Sequence, residues 1–380
     1  MSAVARLRAS LSEGTVDVGL ERCGRYSRNV GHLWLEGSSP YVLYKYTYAI
    51  DEASTIAART RTKKKAKNMV KSPPMLFMRK RWTKLDTNNA TYILLLHLLC
   101  ILAPFYFTWT SFFLATILGN LTGMAISISY HRNLTHRAFK LPKWLEYSLA
   151  YCAAHAIQGD PIDWVSTHRC HHLYADTERD PHSPIYGFWF SQMMWFFDSY
   201  NLTRKVCPDY FKKFEKVERN KFMFFIKYAN PDNVRDLEKQ WFYRFMHKTY
   251  WLHPLALSVL LFAIGGVPFV IWGMCVRFVV SLHLTSMINS VCHIWGKQPW
   301  NTGDLSKNNW MVALITFGEG WHNNHHAFEY SARHGHEWWE IDFGWYIIKF
   351  LQAIGLATCV KLPSQTQKLA ALNKSKSRLS

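Results

Sequence analysis

Acidic residues are scarce where basic ones are dense. The 380-residue sequence has 26 Asp and Glu against 45 Lys and Arg, and the stretch from Arg59 to Lys84 holds eleven Lys or Arg with no Asp or Glu. No nucleic-acid fold signature accompanies that run, and it abuts a long apolar segment, so the expected anion is a membrane surface and nucleic acid is not an expected partner. Among eight cysteines (Cys23, Cys100, Cys152, Cys170, Cys207, Cys275, Cys292 and Cys359) there is no C-x-x-C pair. That argues against a disulfide framework, a haem attachment or a ferredoxin-type cluster, so any electrons must come from a partner. No apolar core of signal-peptide length occurs before Ile50, and Glu13, Asp17, Glu21, Glu36, Asp51 and Glu52 make this stretch more acidic than organelle transit peptides usually are. No Glu-x-x-His pair lies on a bundle helix, which sets aside the soluble, carboxylate-bridged di-iron arrangement. No internal repeat is found.

What is present is apolar and aromatic: 49% and 16% of the residues, with 17 Trp. The mean hydropathy of −0.13 hides long apolar runs behind a basic N-terminal region. Those runs predict two membrane hairpins, with spans at about 92–108 and 112–129 and at about 253–266 and 268–290, the second turning at Gly265-Gly266-Val267-Pro268. Arg277, inside the last run, is a cost unless it faces protein or water. With the basic run on the cytoplasmic side, an even number of crossings returns both long polar stretches to that side. Leu145–Ile157 is apolar but too short to cross, and is expected at the interface or on the cap. The expected fold is an all-α integral membrane protein: four transmembrane helices in two hairpins under a cytosolic helical cap. The expected divisions are a largely disordered extension at 1–78, a main domain at 79–362 and a basic tail at 363–380.

Nine of the 18 histidines form a pattern: His131 and His136 in HRNLTH, His168, His171 and His172 in HRCHH, His322, His325 and His326 in HNNHH, and His293. On an α-helix positions i, i+3 and i+4 share a face, so each H-x-x-H-H triplet is expected to aim three imidazoles at one point. The H-x-x-x-x-H spacing leaves its rings about 140° apart on an α-helix, so that pair must sit at a helix end or span two metals. Nine imidazoles are too many for one ion and suit two. Lone histidines such as His97 and His283 are assigned to packing or a hydrogen bond.

Through SYHRNLTHRAFKLPKWLEY, GDPIDWVSTHRCHH, RDPHSP, NSVCHIWG, NTGDLSKNNW and FGEGWHNNHHAFEYSARHG, from about Arg79 to Leu362, the sequence resembles the membrane fatty-acid desaturase family. Within it the likeness is to the stearoyl-CoA-desaturase-like branch, most nearly the plant acyl-lipid Δ9-type desaturases. The resemblance implies four transmembrane helices with a cytosolic cap, and two irons held by His131, His136, His168, His171, His172, His293, His322, His325 and His326, with Asn289 holding a metal-bound water. It further implies that O2 and two external electrons introduce a cis double bond into a saturated acyl chain, carried as an acyl-lipid or acyl-CoA. The donor would be cytochrome b5 in the endoplasmic reticulum, the expected location, or ferredoxin in a plastid. Trp164 is expected to line the substrate tunnel. Asp160, Asp163, Asp180, Glu319 and Asn323 are candidates to orient the imidazoles, and Asp180-Pro181-His182 reads as a turn. Arg132, Arg137 and Arg169 are candidates for an anionic headgroup or donor protein. Cys170 stands where the plant branch usually has an aromatic, and 206–233 is longer than the family's connection there. Acyl hydroxylation on the same scaffold and a non-catalytic membrane metal-binding protein are the competing readings. Double-bond position, chain length and oligomeric state are not legible.

Overall fold

A computed structural model describes residues 82–200, 202 and 232–376. The expectations for 1–78, and for nearly all of 206–233, fall outside these residues. The described chain is helical, with isolated bridges such as Lys140 with Thr358 and no strand among the described residues.

Helix α1 spans Lys84–Cys100 and α2 spans Trp109–Ala125. Each starts at a capping box, Thr83 with Asp86 and Thr108 with Ser111, in which side chains and backbone N–H groups satisfy each other at the otherwise unpaired first turn. The first apolar run is therefore helical from eight residues earlier than its hydropathy suggests, because the cap and not the first leucine sets its start. It ends at Cys100 in a series of turns through Tyr106 that contains Pro104. Leu94, Leu98, Ile117 and Leu121 project outward from α1 and α2, an arrangement suited to lipid and costly in water.

Helix α2 runs on into a π-helical stretch, Ile126–Thr135. The chain goes on as α3 (Lys143–Ala154), α4 (Pro161–Tyr174) and, after the undescribed segment, α5 (Trp241–Thr249). Helix α3, the apolar segment too short to cross, packs Ala150 and Ala153 into a core with Tyr130, Ile162 and Val165. Helix α6 (Leu252–Val270) is broken at Gly266 (φ 62°, ψ −151°), a conformation open to glycine and strained for other residues. The chain then passes through a π-helical turn, Ile271–Val276, into α7 (Arg277–Asn289). Unbroken, the apolar stretch Leu252–Ile294 would be 43 residues long, about twice what crosses a bilayer. Instead a Cβ built on Gly273 lies 2.9 Å from Leu261 Cδ1, so the chain reverses at Gly266 and the two halves pack on each other. Arg277 faces protein, as its cost demands: it is buried and donates to the carbonyls of His155 and Gly273 and to Thr122 Oγ1. His97 and His283, assigned to packing or a hydrogen bond, are half-buried and meet Nε2 to Nε2 at 3.0 Å between α1 and α7.

Past α7 lie α8 (Trp310–Ile315), α9 (His322–Ala327), α10 (Phe343–Ala353) and α11 (Gln365–Lys376). Two stretches, Trp109–Thr135 and Leu252–Ile294, are long and apolar enough to cross a membrane; they point to membrane association.

Candidate metal centre

The π-helical stretch explains the first box. Its i→i+5 bonding sets residue i+5 above residue i, and the His136 N–H donates to the His131 carbonyl at 3.2 Å. The two rings, about 140° apart on an α-helix, come to 4.9 Å between centroids at the helix end. Helix α4 is started by Asp160, whose carboxylate accepts from the N–H groups of Ile162 and Asp163, and by Pro161 in the first turn.

The triplets do not each converge on one point. His168 and His172 join His131, His136 and His325 in one group, while His171 joins His293, His322 and His326 in another; each group's candidate ligand atoms lie within 4.8 Å of one another. Residues i and i+4 of α4 face one group and i+3 the other, and α9 divides in the opposite sense, with His325 alone in the first. Each helix thus serves both groups, which adjoin, with His172 and His326 ring centroids 4.6 Å apart.

Four of the imidazoles turn their Nδ1 atoms outward to buried carboxylates. His171 Nδ1 lies 2.9 Å from Asp180, His293 Nδ1 3.0 Å from Asp176, His326 Nδ1 3.0 Å from Asp304, and His131 Nδ1 2.6 Å from Glu319. A carboxylate accepts, so these rings carry their proton on Nδ1 and present Nε2 as a lone pair. The Nε2 atoms converge: His293 and His326 each stand 2.9–3.0 Å from His322 Nε2. His322 has at most one Nε2 proton and cannot satisfy both lone pairs. In the other group His325 Nε2 is 3.1 Å from His131 Nε2 and 3.0 Å from His172 Nε2, and His172 Nε2 is 3.1 Å from His168 Nε2. Lone pairs crowded at these distances fit a shared cation. Burial, reinforced by neighbouring imidazoles, holds His168, His171, His322 and His325 well below the ordinary histidine pKa, keeping them in the neutral form a metal ligand requires.

Of the residues expected to orient the rings, Asp180 and Glu319 touch them. Asp180 both shapes its turn, accepting from the N–H groups of Asp176 and His182, and holds His171. Burial would raise the Glu319 carboxyl, but His131, Arg132 and His334 together hold it well below the usual range. Asp160 pairs with His247 at 3.0 Å, with Asp163 4.0 Å from the same ring. Asn323 ties the backbone of Trp300 to Ser306. Two carboxylates that sequence reading missed, Asp176 and Asp304, hold His293 and His326; the only signal was their place among polar residues near the motifs. A third, Glu329, is 3.4 Å from His172 and half exposed.

Arg132 is not an anion-binding surface residue. It is fully buried and binds Glu319 and Asp342 at 3.0 and 2.8 Å, linking the N-cap of α10 to the carboxylate that holds His131. Glu319 also pairs with Ser127. Arg169 and Arg137 are both paired with Asp236. Cys170 is buried among Trp195, Leu202, Tyr174, Phe190 and Phe196, so aromatics from elsewhere fill the space around it.

Two cavities reach the histidines. One of about 790 Å³ runs from Asp160, Asp163, His247 and Lys248 past Tyr92, Leu96 and Met274. The other, of about 340 Å³, lies between α2 and α7 along Ala115, Gly119, Gly123, Val280 and Leu284. Both are walled by Gln158, Trp164, His168, Thr285 and Asn289. Trp164 therefore stands at their junction, its ring 5.1 Å from that of His168.

The fatty acid desaturase family model matches residues 107–353. The chain is 56% identical to a palmitoyl-monogalactosyldiacylglycerol delta-7 desaturase of Arabidopsis thaliana, over 78% of this chain and 75% of that one. It is 50% identical to delta-9 acyl-lipid desaturase 2 of the same plant, over 77% and 88%. With an icosanoyl-CoA 5-desaturase of Limnanthes douglasii it shares 54% identity over 77% of each. With paired histidine groups at the meeting of two apolar cavities and this likeness along most of its length, the chain belongs to the fatty acid desaturase family and is a desaturase, an oxidoreductase.

Proposed function

We propose that the chain is an integral-membrane di-iron enzyme that introduces a cis double bond into a saturated acyl chain, delivered as an acyl-lipid or acyl-CoA. The observation that carries the reading is the junction of the two cavities at Trp164, His168 and Asn289, which lets an acyl chain lie bent past the histidines. Imidazole is a good ligand for iron, and nine imidazoles in two adjoining groups exceed the four that a structural zinc site needs. The nine histidines would be the ligands, five on one ion and four on the other, with Asn289 holding a water at the second. When bound, the irons supply the O2-derived oxidant that an unactivated methylene requires. The overall change is –CH2–CH2– plus O2, two electrons and two protons to –CH=CH– and two waters.

The protein's part is placement. Trp164, Gln158 and Thr285 fix the bend, Gln158 Nε2 donating to Thr285 Oγ1 at 2.9 Å. Asp176, Asp180, Asp304 and Glu319 hold Nδ1–H so that Nε2 is free to bind. Four spans, two from each hairpin, and a cytosolic cap complete the architecture, with the aromatic cluster of Phe107, Trp109, Phe112 and Trp272 at the far membrane face. The domain divides into an extension at 1–78, a catalytic part at 79–362 and a tail at 363–380. Residence in the endoplasmic reticulum with cytochrome b5 as donor fits the six Asp and Glu before Ala53, more acid than transit peptides usually carry; relatives named chloroplastic make a plastid with ferredoxin the alternative. Expression of the chain in a desaturase-deficient yeast, with gas chromatography of fatty esters, tests the reading. New monoenes are expected, and hydroxy acids without monoenes would overturn it.

A further inference from the structure

We infer that the two metal positions are unequal, the four-histidine position binding its ion first and holding it longest. The inference rests on the metal reading above and concerns the groups around the ligands. At the four-histidine position three of the four rings have Nδ1 on a carboxylate, His171 on Asp180, His293 on Asp176 and His326 on Asp304, all at 2.9–3.0 Å. All six residues are buried. These carboxylates accept from neutral donors: Asp176 from the Leu305 N–H, Asp180 from the Asp176 and His182 N–H groups, and Asp304 from the Thr302 and Ser306 hydroxyls. Their charge is therefore held in place beside the ion's position.

At the five-histidine position, among the described residues, His131 alone has a buried carboxylate on Nδ1. That carboxylate, Glu319, is shared with the Arg132 guanidinium, which lies 3.0 Å away. The other acid, Glu329, is 3.4 Å from His172, and its side chain is 46% exposed. Among the described residues His325 Nδ1 has no hydrogen-bond partner, and the same holds for His322 Nδ1, the fourth ring of the other position.

A carboxylate behind an imidazole raises the ring's basicity and fixes its orientation, and losing one typically costs about 10–100-fold in metal affinity. A buried charge also attracts a divalent ion with little screening. The fifth histidine of the other group adds one neutral donor in place of a water, a gain confined to a single bond. Three buried acids against one shared acid therefore outweigh five rings against four.

The test uses the full-length protein in lipid nanodiscs, stripped of metal and titrated anaerobically with iron-57(II) under Mössbauer observation. One equivalent should give a single doublet, retained in His131→Ala and lost in His322→Ala. Asp176→Asn and Asp304→Asn should each weaken the first binding step about tenfold or more, and Glu319→Gln only the second. Two doublets of equal weight at one equivalent of iron in the unaltered protein would overturn the inference, and this measurement does not depend on any variant folding. So would a first step weakened by Glu319→Gln alone. Two ions of equal affinity would leave the metal reading intact, whereas no iron uptake would end both.

Discussion

The histidine centre and the cavities that meet it are built differently. Around the metal positions the side chains hold one another: Arg132 joins Glu319 and Asp342, Glu319 holds His131, and Asn324 reaches the His334 carbonyl and Glu340. Away from the histidines the smaller cavity is walled by Ala115, Gly119, Gly123, Ile126, Val280 and Leu284, side chains that offer shape and no directed bonds. Changes at the centre should therefore act on catalysis with every substrate. Changes along the cavity should act on which substrate is used and leave the metals alone.

The largest effect tests the first half of that contrast. His168→Ala and His322→Ala should each lose one ion per chain and more than about 100-fold of activity on every acyl chain offered, read by metal analysis and product chromatography. A variant that kept both ions and changed only its chain-length preference would erase the distinction. Next, Glu319→Gln frees the Arg132 charge from one partner and loosens His131; activity should fall about 10–100-fold without a change in product position.

The cavity half predicts the reverse pattern. Gly119 lines the smaller cavity, and a Cβ there would meet Arg277 Cγ at 3.6 Å, an ordinary contact, so Gly119→Leu should fill that cavity. Two irons should remain, while preference between long and short chains shifts about tenfold toward the shorter. A loss of iron in that variant would mean that the wall and the centre are one structure. The smallest effect lies outside both regions: Thr83→Ala removes half of the capping box of α1 and should cost about 1 kcal/mol in thermal unfolding, with product distribution unchanged.

The chemistry was far more legible than the geometry. The histidine boxes stand out in sequence because ligands on one short helix must recur at short spacings. How α4 and α9 divide their rings between two groups was not legible, since it depends on helices far apart in sequence lying side by side. The π-helical turn at Ile126–Thr135 hid how the two rings of the first box converge, for a local reason: five-residue spacing reads as divergent on the α-helix that sequence patterns assume. Asp176 and Asp304 sit on loops with no periodicity to mark them. The hairpin at Gly266 was readable from Gly and Pro, whereas the start of α1 was hidden because Thr83 and Asp86, not hydropathy, set it. Arg132 looked like a surface cation because its two carboxylate partners are 187 and 210 residues away.

The central claim is that nine histidines hold two irons. Metal analysis of the purified full-length chain, with Mössbauer spectroscopy of iron-57-grown protein, tests it most directly. Two irons per chain, falling to one when either group loses a histidine, is the predicted result; a single zinc with no iron would contradict it.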